Sequence, residues 1–133
     1  MLKKLIILLL PVLVITLCLN TGFGGKKAKT FSGILIDTNC YGINNKFITN
    51  DHGRMKWCAT DCAKKGIPVG LLIDGKKGGK VYVLTVAAPS LADHMGKRAR
   101  VTGKVEFKRG LIPEKIEVKE GDTYKEVKVK TMM

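Results

Sequence analysis

The chain has 133 residues, 24 Lys and Arg against 11 Asp and Glu, a formal net charge of +13 and four cysteines. Behind its N-terminal segment that length holds one small domain with a single core and is too short for two. The chain has no repeat period, phosphate-cradling glycine loop, Ser-His-Asp signature, C-x-x-C or C-x-x-C-H, which removes nucleotide-cradling, serine-hydrolase, thioredoxin-type and covalent-haem chemistry from consideration.

Residues 1–25 come first and decide the redox context. Lys3 and Lys4 precede a leucine-rich run from Leu5 to Leu19, and Asn20, Thr21, Gly22, Gly24 and Gly25 follow, the layout of a secretory signal. Gly22-Phe23-Gly24 can be written as a cleavage site, while extending the run to Phe23 gives 19 residues, close to a membrane span. The segment therefore reads as a signal peptide or an N-terminal membrane anchor, and residues 26–133 as one exported domain, periplasmic, extracellular or tethered facing outward. Cys18 reads as an apolar residue of that run, because Leu17 stands where a lipoprotein signal wants a small residue. With Lys3 and Lys4 set aside, 22 basic residues face 11 acidic ones. Such a surface suits anionic phospholipid or acidic wall polymer. Export, and the absence of aromatics interleaved with the lysines, argue against nucleic acid. The alternation from Lys115 to Lys130 equally fits an ordinary solvated sheet face.

Thr30 to Asp37 predicts a first strand ending in a polar turn before Cys40. Val69 to Asp74 and Lys80 to Val86 predict a hairpin around the loop Gly75 to Gly79. Pro89 to Met95 predicts a short helix stopped at Gly96. From Arg98 to Lys108, Ala99, Val101, Gly103, Val105 and Phe107 alternate onto one face, predicting a half-buried strand bent at Gly103. Lys115 to Lys119 and Tyr124 to Lys130 alternate likewise around a Gly121-Asp122 turn.

One segment breaks the strand pattern. Between Arg54 and Lys65 the positions Met55, Cys58, Ala59, Cys62 and Ala63 make one stripe of an amphipathic helix. Lys64, Lys65, Gly66 and Pro68 mark its end, and Asn50 or Asp51 could cap its start. Side chains four apart on a helix stand ~5–6 Å apart, too far for a bond between Cys58 and Cys62. Two arrangements remain. Cys40 can pair with Cys58 or Cys62, closing a loop worth ~3 kcal/mol and leaving one thiol. Alternatively Cys40, Cys58 and Cys62 hold a metal ion, with His52 as fourth ligand, a Cys3His set suited to zinc or, through its soft thiolates, to copper. Taken alone, His52 reads as a solvated loop residue, kept as a ligand for its place beside the helix start. His94 reads as packing or surface. A reactive thiol would need a histidine base and a depressed pKa.

In order, strand, cysteine helix, strand, strand, short helix, strand, strand resembles an OB-fold barrel of five strands with an added helix after the first. The segments Gly33-Ile34-Leu35-Ile36-Asp37-Thr38-Asn39-Cys40, Cys58-x3-Cys62 followed by Gly66, and Gly96 to Val105 also resemble, over most of residues 30 to 120, a group of small exported bacterial OB-like proteins of unassigned function. In that group the histidine lies nearer the cysteine pair than His52 does to Cys58. The resemblance implies a mainly β, OB-like barrel with a binding surface. The expected function is non-enzymatic binding by an exported or membrane-tethered domain with a Cys3His-type metal site. Its alternatives are a disulfide-stapled envelope interaction module and, third, a thiol redox enzyme.

Overall fold

The first strand serves two neighbours, and that sharing curls the sheet into a barrel. In the computed structural model, which describes residues 26–130, β1 spans Lys29–Asp37. The expected signal or anchor and Cys18 lie outside the described residues. Lys29 to Ile34 pair antiparallel with β4 (Arg98–Glu106), and Gly33 to Asp37 pair antiparallel with β2 (Val69–Ile73). Gly33 sits where the two ladders overlap, and a Cβ there would meet the backbone carbonyl of Leu72.

The chain continues through a six-residue helix α1 (Thr38–Ile43) and the cysteine helix α2 (Cys58–Lys64). After β2 come β3 (Val81–Leu84), a 3-10 helix (Ala88–His94), β4, β5 (Gly110–Glu120) and β6 (Thr123–Glu126). β2 pairs with β3, β4 with β5 and β5 with β6, all antiparallel. A short parallel pairing of β3 with β5, Val83 opposite Gly110 and Leu84 opposite Leu111, closes the ring. The result is a closed five-stranded, OB-like barrel with β6 added outside β5. The inward residues Leu35, Leu71, Leu84, Val101, Leu111, Ile116 and Val118 are buried, and Leu91 of the 3-10 helix and Ala59 and Ala63 of α2 join the same core. No helix among the described residues is long and apolar enough to cross a membrane.

Several expectations need correction. β5 begins at Gly110 and runs through Pro113, whereas the pattern placed its start at Lys115. Pro113 is tolerated because it lies at a break in register, where Thr102 faces Lys115 but Gly103 faces Pro113, a place where a missing N–H costs no ladder bond. Phe107, expected on the buried face, is 91 % exposed. The strand ends at Glu106, and Phe107 and Lys108 turn the chain through left-handed conformations (φ 49° and 61°). The second short helix is of the 3-10 kind.

Candidate metal centre

Asp37 organises the site. It ends β1 and caps α1, its Oδ1 accepting from the backbone N–H of Asn39 (2.8 Å) and Cys40 (3.3 Å). A carboxylate at this position satisfies donors the first helical turn cannot satisfy itself. The cap turns the chain sharply, so Cys40 rises from α1 and not from the strand-end turn that the sequence suggested. Asp37 is buried, and its Oδ2 has no hydrogen-bond partner.

α2 brings the other two thiols. Its helix is shorter than the sequence stripe. Gly53 and Trp57 both take positive φ, a bridge joins His52 to Met55, and Met55 is left 55 % exposed. The helix start is capped from a distance. Asn50 accepts the N–H of Ala59 on its backbone carbonyl (3.1 Å) and that of Thr60 on Oδ1 (2.9 Å), while Asp51 Oδ1 accepts from Trp57 N–H (2.9 Å). The C-terminus follows expectation. Gly66 N–H donates to Ala63 O (2.9 Å) and Ile67 N–H to Cys62 O (3.0 Å), with Gly66 at φ 89°, the paired bonds of a glycine-terminated helix. No atom lies near a Cβ built on Gly66, so Gly66→Ala meets conformational strain alone. It is expected to lower stability by about 1 kcal/mol, roughly 5 °C in thermal melts.

The three thiols meet. Cys40, Cys58 and Cys62 are half-buried and free, and no disulfide is formed among them. Their Sγ atoms all lie within 4.8 Å of one another, with Cys40 and Cys58 4.0 Å apart. Burial, and next the Asp37 carboxylate, push the Cys40 thiol up to about 12. Cys62 is also pushed up to about 12, chiefly by the neighbouring Asp37 carboxylate and then by burial. Both are therefore protonated thiols in the metal-free protein. That is the opposite of the depressed pKa a redox nucleophile requires.

His52 is not the solvated loop residue that its sequence position suggested; it is 1 % exposed. Its backbone N–H and carbonyl are both tied to Met55 (2.9 and 3.0 Å), and Phe47 stacks on its ring at 4.8 Å. Nε2 lies 2.9 Å from the Thr49 carbonyl. A carbonyl can only accept, so Nε2 carries the proton and Nδ1 keeps its lone pair. Nδ1 is buried with no partner. A ligating histidine has this arrangement, its other N–H donated to a backbone carbonyl that fixes the tautomer.

A ring nitrogen of His52, a carboxylate oxygen of Asp37 and Cys40 Sγ also lie within 4.8 Å of one another. The four residues expected as ligands thus fall into two overlapping triads that share Cys40. Asp37 is the member the sequence reading missed; the signal for it was an acidic residue at a strand end, two positions before Asn39 and three before Cys40, where it can cap a new helix. His94 is half-buried on the 3-10 helix, its pKa lowered chiefly by burial, in keeping with a packing role. Searches against protein-family models, curated proteins and solved structures found no match.

Proposed function

We propose that the chain is an exported, non-enzymatic metal-binding protein of the cell envelope, in which Cys40, Cys58, Cys62 and His52 hold one zinc ion. The observation that carries this reading is the buried His52, whose Nδ1 is unpartnered and held as a lone-pair donor and whose ring has a nitrogen within 4.8 Å of a thiol that belongs to a three-cysteine cluster. A buried acceptor without a partner is costly, and a cation bound among the thiolates would satisfy it. Three sulfurs and one nitrogen favour zinc over the harder cations, with Cu(I) the next candidate. The ion would join α1, the loop carrying His52 and α2 at one end of the barrel. The resemblance to small exported bacterial barrels and the signal-like N-terminus support an envelope location.

Cobalt titration of the reduced full chain tests the site. One Co²⁺ per chain with tetrahedral d–d bands and thiolate charge-transfer absorption is the expected result, and His52→Ala is expected to alter the d–d bands and weaken binding at least about tenfold. Octahedral or absent binding would sink the proposal. A metal-free chain two hydrogens light by mass spectrometry would instead support a Cys40–Cys58 staple, which the 4.0 Å separation of their sulfurs permits after modest movement.

Proton release supplies a further prediction. Cys40 and Cys62 are protonated up to about 12 without metal, so an ion that takes both as thiolates must displace two protons. Apparent affinity then rises with pH, by at least about a hundredfold per unit across pH 6 to 8. Calorimetry in buffers of different ionisation enthalpy counts the protons, and a count of zero would contradict ligation by these two thiols.

A further inference from the structure

We propose that the barrel end opposite the cysteine cluster docks on the headgroup layer of an anionic phospholipid membrane. This rests on the envelope location in the proposed function together with a retained N-terminal anchor, and not on the metal ion. β1 carries Asp37 at one end and Lys29 at the other, about 26 Å away at strand rise. At the Lys29 end, a cleft of about 440 Å³ has Phe31, Tyr82 and Val105 in its floor and Lys26, Lys27 and Lys29 around it. Lys26, Lys27 and Lys29 bring three cations to its rim. Lys26 also ties the chain entry to β4, donating to Val105 O (3.3 Å) and facing Glu106 at 3.7 Å.

The β4–β5 turn follows directly from Glu106, and it supplies the independent observation. Phe107 is 91 % exposed and, with Lys108, holds a left-handed backbone conformation (φ 49° and 61°), which bulky residues rarely adopt. Neither the local conformation nor the core accounts for a phenylalanine there. Strain of this kind points to a use elsewhere. Lys108 and Arg109 are exposed beside it. An aromatic tip flanked by cations suits a bilayer interface, with the ring among the upper acyl chains and the charges at the phosphates. Chain continuity favours lipid over a soluble acidic polymer. The apolar run ends at Phe23, and only Gly24 and Gly25 separate it from Lys26, so a retained anchor would hold this end of the barrel at the headgroups.

The test places the full chain in nanodiscs of phosphatidylcholine containing one-third phosphatidylglycerol, with and without brominated acyl chains. Trp57 is the chain's one tryptophan; it lies beside the cysteine helix, and in the wild-type chain its emission is expected to be unaffected by bromine. In a Phe107→Trp, Trp57→Phe variant, emission is expected to shift blue and fall roughly threefold on bromination. Replacing Lys27, Lys108 and Arg109 with glutamate is expected to abolish most of that quenching, each basic residue being worth roughly fivefold in affinity. A chain that enters the discs while the indole introduced at position 107 stays water-exposed overturns this inference alone. Failure to enter overturns both this inference and membrane tethering, while the metal site is judged independently from the metal content of the chain by native mass spectrometry. Loss of quenching on adding soluble polyglutamate assigns the face to acidic polymer and overturns the lipid.

Discussion

Cys40→Ser is expected to abolish zinc binding and remove the largest single contribution to the stability of the loaded protein. Cys40 is the one residue common to both triads, near Cys58 and Cys62 on one side and Asp37 and His52 on the other. Its removal leaves neither triad intact, whereas loss of Cys62 would spare the Asp37–Cys40–His52 set. An ion that binds only the folded chain stabilises it by mass action, about 4 kcal/mol when free zinc is a thousand times the dissociation constant. For a domain of this size that is roughly 20 °C in the melting midpoint. Wild-type protein is therefore expected to lose about that much on chelation, and Cys40→Ser to melt near the chelated wild type with or without zinc. Without metal the two should differ by about 1 kcal/mol or less, since oxygen replaces sulfur at a half-buried position. Zinc-independent melting of the wild type, with destabilisation by reductant instead, would show that the cysteines act as a staple.

The two parts of this molecule were legible to different degrees, for physical reasons. Ala99, Val101, Ile116 and Val118 alternate because one face of their strands is buried, and all four are at most 1 % exposed. Period two reports such burial directly. Phe107 fits the same alternation but lies past the strand end, where two left-handed residues turn it outward; periodicity carries no information about where a strand stops. α1 was invisible because its six residues are too few to show a helical period, and it depends on the Asp37 cap. The thiols were legible as a set, since helical spacing put Cys58 and Cys62 on one face and argued against a bond between them. The burial of His52 was not, because it arises from Phe47, Thr49 and Met55, contacts within a loop without period. Asp37 looked like a strand-end turn residue, and no spacing in the sequence signals that its carboxylate lies beside Cys40 and His52.

Gly103→Ala is expected to be among the most damaging single-methyl changes in the barrel, costing about 3 kcal/mol, roughly 15 °C. Unlike Gly66, Gly103 is not among the residues with positive φ, so alanine faces no conformational objection there. The objection is steric. A Cβ would collide with the backbone carbonyl of Ile112 and come within 2.9 Å of Pro113 Cα. Backbone cannot rotate away as a side chain can, so β4 and β5 would have to separate at their register break. That break also permits Pro113 inside β5, and just beyond it Leu111 packs into the core and Gly110 and Leu111 pair with β3 to close the barrel. Separation there weakens closure as well as one ladder. Gly121→Ala serves as the contrast, at φ 60° with nothing near its Cβ, and should cost only about 1 kcal/mol. If chemical denaturation ranked the two alike, close backbone approach would not be what requires glycine at position 103, and the barrel would be looser at this corner than its contacts imply.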